Sequence, residues 1–272
     1  MTTHKRRTVL KTVGGIAVVG TLAGCADDEP DPTDEPDPTD DPEETEAPDD
    51  ATADEEMDGG EAADDEPAGE SDLRVAHLSP DAPNVDVYVD DAPVLEDVPF
   101  RAVSDYLELP AGEYAVTITA AGDVEAVVFD EPLAVPEGSF TVAALGELAE
   151  ENRSFGVEVY ADDVSDPGEN ARLRLVHASP DAPNVDVTVD GDPVFEDVPF
   201  GAADSVEVPA DDYELEVRPA TPDVDGDVVA TFDVSPEAGT VYSAFAIGYL
   251  DPDAAPADEP FDLELVVDAT HD

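Results

Sequence analysis

The stretch Leu73–Val87, LRVAHLSPDAPNVDV, returns as Leu173–Val187, LRLVHASPDAPNVDV. The likeness continues through Glu96–Phe100 (EDVPF) and Glu196–Phe200, then Leu109–Tyr114 (LPAGEY) and Val208–Tyr213 (VPADDY), and ends with Phe140–Leu148 against Tyr242–Leu250. A chain that repeats itself must fold as one unit built twice, and units of about 90 to 100 residues are an ordinary domain size. The expected organisation is repeat 1 over 72–160, a connector over 161–171 and repeat 2 over 172–272. The connector holds Asp, Pro, Gly and Asn and suggests a short hinge.

Inside each repeat the apolar period is two. Val85, Val87 and Val89 alternate with Asp86, Tyr88 and Asp90, and Tyr114, Val116 and Ile118 alternate with Ala115, Thr117 and Thr119. That is the pattern of a half-buried strand. About seven short strands per repeat, separated by Pro, Gly and Asp turns and without an amphipathic helix, predict an all-β chain of two tandem antiparallel β-sandwiches. Tyr114 and Tyr213 follow Pro-containing turns and suit tyrosine corners, whose hydroxyls bond back to upstream backbone.

The formal net charge of -61 excludes a nucleic-acid partner. Both lysines, Lys5 and Lys11, lie near the start, and beyond them only Arg74, Arg101, Arg153, Arg172, Arg174 and Arg218 follow the export region. About two thirds of the Asp and Glu lie after Ser71, so the folded part is acidic in its own right. Repulsion at that density is largely screened at 1 M salt, where the Debye length is about 3 Å, and the composition implies adaptation to molar salt. With one Cys no intrachain disulfide can form.

Lys5-Arg6-Arg7-Thr8-Val9-Leu10-Lys11 fits a twin-arginine export signal, with Arg6 and Arg7 as the pair. The apolar stretch Val13–Ala23 is too short to span a bilayer, which takes about 20 residues. It ends in Leu22-Ala23-Gly24-Cys25, a lipobox-like sequence in which the thiol of Cys25 takes a lipid; residues 1–24 are then a signal peptide. Residues 25–71 form an acidic Pro-rich stalk in which DEPDPT repeats in tandem at Asp28 and Asp34. A segment so poor in apolar residues is expected to be disordered. Its Thr33, Thr39, Thr45 and Thr52 are candidate O-glycan carriers.

The pattern His-x-Ser-Pro-Asp-Ala-Pro-x-Val-Asp-Val, then Asp-Val-Pro-Phe, then Leu-Pro-Ala-Gly-x-Tyr, resembles the family catalogued as domain of unknown function 4397, over Leu73 to Asp268 in two copies. Repeat 2 departs at Asp211, where repeat 1 has Gly112. The resemblance implies exported or surface-attached proteins with an immunoglobulin-like or transthyretin-like sandwich, and implies no catalytic residues.

His77, Ser79 and Asp81, with His177, Ser179 and Asp181, have the composition of a hydrolase triad, but alternate residues on a strand lie about 6.5 Å apart and a proline interrupts each set. A histidine bonding a turn carbonyl is the expected role. Asp81, Asn84 and Asp86, and likewise Asp181, Asn184 and Asp186, can offer oxygens to calcium or brace Asx turns. Asp223, Asp225 and Asp227 resemble the start of a calcium loop but lack the later Glu and flanking helices of an EF-hand; a hairpin turn is favoured. No other cofactor is implied. Asn152-Arg153-Ser154 is an N-glycosylation sequon.

These features point to a non-catalytic, lipid-anchored protein on the outer face of the cytoplasmic membrane, structural or adhesive, with surface-layer, protein or glycan partners. A solute- or glycan-binding module is the alternative, which Tyr88, Tyr106 and Tyr160 on one outer face would favour. An extracytoplasmic hydrolase is the remote third.

Overall fold

The computed structural model describes residues 69–271. Arg6, Arg7, Cys25 and the acidic segment through residue 68 lie outside the described residues.

Repeat 1 comprises β1 (Glu70–His77), β2 (Val85–Val89), β3 (Ala92–Val98), β4 (Leu107–Pro110), β5 (Gly112–Ala120), β6 (Asp123–Val135), β7 (Gly138–Leu145) and β8 (Gly156–Ala161). Repeat 2 comprises β9 (Asn170–His177), β10 (Val185–Val189), β11 (Asp192–Val198), β12 (Ala203–Pro209), β13 (Tyr213–Pro219), β14 (Ala230–Val234), β15 (Thr240–Ile247) and β16 (Asp262–Thr270), with one 3-10 turn at Pro252–Ala254. The chain is all-β, and each repeat is a sandwich of two four-stranded sheets. The orders are β4-β1-β7-β8 and β3-β2-β5-β6 in repeat 1, and β12-β9-β15-β16 and β11-β10-β13-β14 in repeat 2. The sheets are not purely antiparallel: β1 pairs with β7, and β9 with β15, in parallel. Parallel neighbours need a long connection between them, and the rest of each sandwich supplies it.

The two tyrosine corners form as expected, with the Tyr114 hydroxyl donating to Pro110 O at 2.5 Å and the Tyr213 hydroxyl to Pro209 O at 2.8 Å. Replacing Gly112 by Asp211 therefore leaves the corner intact.

The described residues fall within one compact unit. The reason lies on β1, β7, β9 and β15, which are buried on both faces. One face of β7 joins its own sandwich core through Ala144, which packs with Val85, Val116 and Ile118. The other face, Ala143 and Leu145 with Ala76 and Leu78, packs against Val176, Ala178, Phe245 and Ile247 of repeat 2. All eight residues of β15 are buried. Four sheets thus stack as outer, inner, inner, outer. The connector carries the fully buried side chain of Asp162, and Val164 O lies 2.9 Å from His271 Nε2, so its turn residues are tied down rather than hanging as a free joint.

Candidate functional site

The repeated motifs build a corner at one end of each sandwich. After β1 the chain turns at Ser79-Pro80, where the Ser79 hydroxyl donates to Gly146 O at 2.8 Å. Ser179 does the same to Gly248 O at 2.7 Å. Gly146 and Gly248 hold φ of +85° and +75°, and a Cβ on either would run into the backbone oxygen of Ser154 or Pro260, so both positions require glycine. The Asp81 carboxylate accepts from Leu148 N and Ala149 N, each at 2.8 Å, and Asp181 accepts from Leu250 N and Asp251 N, each at 2.9 Å. These aspartates clamp the loop after β7 or β15 to the SPDAP turn.

Asn84 and Asp86 converge elsewhere, on a left-handed residue in β3. Asp97 has φ of +53°; its carboxylate accepts from Asn84 Nδ2 at 2.7 Å, and its N–H donates to Asp86 at 2.7 Å. Asn184, Asp186 and Asp197 repeat this at 2.8 Å for both bonds. Asp86 also accepts from Gly122 N, and this bond and that from Asp97 N hold its carboxyl below the usual carboxylate range. The β2–β3 register shifts at this point. The Val-Asp-Val and Glu-Asp-Val-Pro-Phe motifs are therefore two halves of one braced bulge, a link that their spacing in sequence does not reveal.

His77 and His177 are fully buried. Each Nε2 lies beside a turn carbonyl, Pro83 O at 3.1 Å and Pro183 O at 3.0 Å, and each ring meets a phenylalanine edge-on, Phe100 or Phe200. Bonding a carbonyl requires Nε2 to carry the proton, and Nδ1 is left buried without a partner. Neither histidine bonds the serine two residues on, whose hydroxyl goes to a backbone carbonyl instead. Burial pushes both histidine pKa values down. A histidine kept neutral in the fold and protonated in the unfolded chain stabilises fully above about pH 6.5, and that contribution is lost as pH falls from there through the lowered folded value. In molar KCl the urea midpoint should accordingly fall between pH 7 and pH 5, and His77→Gln with His177→Gln should flatten the slope. A wild-type midpoint independent of pH across that window would contradict the assignment.

Among the described residues no group of three or more His, Cys, Asp or Glu is arranged to hold a metal ion. Asp223, Asp225 and Asp227 fall in the segment between β13 and β14, where Thr221 Oγ1 accepts from Asp225 N at 2.9 Å and donates to its carboxylate at 3.0 Å. The segment is the loop of a hairpin, since β13 and β14 pair antiparallel on either side of it. Asn152 is exposed, yet its Nδ2 donates to the buried Glu147 carboxylate at 2.8 Å, so the sequon nitrogen is engaged in the fold. Of the three tyrosines named above, Tyr160 is buried with its hydroxyl on Gly201 O at 2.9 Å, and Tyr106 donates to Asp162 at 2.6 Å. Burial raises the pKa of both. Only Tyr88 stands on an outer sheet, so the three do not gather on one face.

The most elaborate polar arrangement lies between the repeats. Arg74 donates through Nε to Thr141 of its own repeat at 2.8 Å, through a terminal nitrogen to Ser243 of repeat 2 at 3.0 Å, and pairs with Asp268 of repeat 2 at 2.8 Å. Arg174 mirrors it, with Nε on Ser243 at 3.0 Å, a terminal nitrogen on Thr141 at 3.2 Å and a close ion pair with Asp162. Both Arg and both Asp side chains are at most 6% exposed. Arg74 thus reaches a carboxylate of repeat 2, and Arg174 reaches back to one in the connector directly after β8, an exchange like that of equivalent residues in a twofold dimer. Sequence reasoning listed both arginines only as charges; the signal available was Arg between apolar residues on a strand, Leu73-Arg74-Val75 and Leu173-Arg174-Leu175.

No curated protein matches the chain. Among solved structures it is similar to the TIE protein of Bacillus anthracis, at 14% identity and a TM-score of 0.23 over 66% of this chain and 34% of that one. It is also similar to a family 26 carbohydrate-binding module of Eubacterium rectale Amy13K in complex with maltoheptaose, at 9% identity and a TM-score of 0.23 over 74% and 97% of the two chains. This chain spans about a third of the length of the first, and TM-scores this low carry nothing about what it does. The family profile described as Domain of unknown function (DUF4397) matches residues 71–188 and again 171–269. By that match the chain belongs to the DUF4397 family and carries its domain twice.

Proposed function

We propose that this protein is a lipid-anchored, non-catalytic surface component of a cell living in molar salt, presenting two fused sandwiches as one rigid docking body to surface-layer, protein or glycan partners. The observation that carries the reading is the use of the motif side chains. His77, Ser79, Asp81, Asn84 and Asp86, and their repeat 2 counterparts, all bond the protein's own turns. A body braced in this way, with no helix among the described residues long and apolar enough to cross a membrane, suits display at the end of an acidic stalk, held by lipid on Cys25. Export through a twin-arginine route, which carries folded cargo, agrees with a chain whose charges are screened before it leaves the cell.

The test is fractionation in a halophilic host. Cys25→Ser should move the protein from the membrane pellet to a soluble fraction, and Arg6→Lys with Arg7→Lys should leave the unprocessed chain inside the cell. An intact Met1 on membrane-free wild-type protein would overturn the anchor.

A further inference from the structure

The two repeats present the same outer-sheet position with different chemistry. In repeat 1, Tyr88 on β2 faces Thr117 on β5. With Thr119, Asp91 and Val124 they line an open pocket of about 230 Å³. That is below the roughly 300 to 1,000 Å³ of sites for drug-sized molecules and suits a single ring. Thr119 is 2% exposed, and its hydroxyl has no hydrogen-bond partner. Such a group is costly to leave unmet.

Repeat 2 shows how the same backbone is closed. The registers place Thr188 at the Tyr88 position, Glu216 at Thr117 and Arg218 at Thr119. There Thr188 donates to Glu216 at 2.8 Å, and Arg218 donates to Glu216 at 2.7 Å and to Thr188 at 3.1 Å, so the three side chains bond one another. Asp91 meets the matching contrast. It holds φ of +64°, where repeat 2 has Gly191 at +83°. Both residues close a two-residue hairpin turn that requires positive φ at each position, so the difference is the carboxylate that repeat 1 places at the pocket. On β2 the flanking residues Val87, Val89 and Asp90 are the same in both copies, while β5 differs also at Val116 (Leu215 in repeat 2), Ile118 (Val217) and Ala120 (Pro219).

We propose that this pocket of repeat 1 binds one neutral pyranose ring of a glycan. Tyr88 offers a ring face for the sugar's C–H face, and Asp91 accepts from its hydroxyls. Thr119 can donate and accept, and Thr117, whose hydroxyl proton goes to Asp130, can accept. Anions are excluded by Asp91 and by Asp130, which accepts from Thr117 at 3.2 Å. A quaternary ammonium would meet Tyr88 and Asp91 but has no hydrogen bond to give Thr119. Stacking and hydrogen bonds to an uncharged ligand also survive molar salt, which weakens a purely ionic contact.

Saturation-transfer NMR on the full chain in multi-molar KCl, with the methyl glycosides of glucose, galactose, mannose and N-acetylglucosamine, tests it. At least one glycoside should receive transfer from aromatic protons and bind with a millimolar dissociation constant. Tyr88→Ala should weaken that binding about tenfold, or about 1.4 kcal/mol. The triple variant Tyr88→Thr, Thr117→Glu, Thr119→Arg installs the side chains that the equivalent sheet of repeat 2 accommodates, and should abolish transfer with an unchanged far-UV CD spectrum. Absence of transfer to all four glycosides, equal transfer in the triple variant, or perturbation of Tyr88 by tetramethylammonium alone would each overturn the proposal.

Discussion

Arg174→Met lowers the unfolding free energy by about 3 kcal/mol, the low end of the cost of removing one partner of a buried ion pair, since Arg74 still lies 3.7 Å from Asp162. Asp162 keeps its hydrogen bonds from Tyr106 and Thr141, at 2.6 and 2.7 Å, but loses the only cation against its other oxygen. Adding Asp162→Leu to Arg174→Met should return most of the loss, because an apolar pair of similar volume avoids the desolvation that the ions undergo. Arg74→Met with Asp268→Leu should behave alike. The two arginines share Thr141 and Ser243, so removing both should not give the sum of the single losses. Urea titration in molar KCl checks this, and the transition should stay single, since both repeats contribute to one buried layer. A loss under about 1 kcal/mol for Arg174→Met would mean that the network is wet.

That layer marks where sequence reading stopped. The period of two in Val85–Val89 and Val116–Ile118 is set by one buried face, and it located β2 and β5 correctly. β7 and β15 read Phe140-Thr-Val-Ala-Ala-Leu145 and Val241-Tyr-Ser-Ala-Phe-Ala-Ile247, continuous small and apolar runs without alternation. Strands of that kind are buried on both faces, and the second face is the contact between repeats. A repeat in sequence announces two domains but not whether they touch. Contact depends on side chains 169 positions apart, Arg74 and Ser243, which no local pattern joins. The corner motifs were legible as turn chemistry because an Asp or Ser near Pro bonds nearby backbone. Their distant partners, Gly146 for Ser79 and Asp97 for Asp86, required the fold. The pocket at Tyr88 was legible only by comparing the repeats in register, since each residue taken alone is an ordinary strand residue.

Dialysis from multi-molar KCl into millimolar buffer should abolish cooperative folding, the largest effect expected for this protein. A domain is held by about 5–15 kcal/mol, and here few cations stand against the carboxylates. Of the six arginines among the described residues, Arg74 and Arg174 are buried in the central network. Arg172 is already paired with Asp163 and Glu207, Arg101 with Asp262, and Arg218 with Glu216. Along the edge strand β6, Asp123, Glu125, Asp130 and Glu131 are exposed with no cation on the strand. In millimolar salt the Debye length reaches about 30 Å or more, and at 1 M it is about 3 Å, so in dilute buffer these charges repel across the whole body. The central pairs are dry and are screened little, so they cannot offset a repulsion that acts everywhere on the surface. Sodium chloride at equal ionic strength should restore the fold about as well as potassium chloride if screening is the cause. Far-UV CD and the urea midpoint report the outcome. An unchanged spectrum and midpoint in dilute buffer would show that the acidic surface tolerates its own charge without salt.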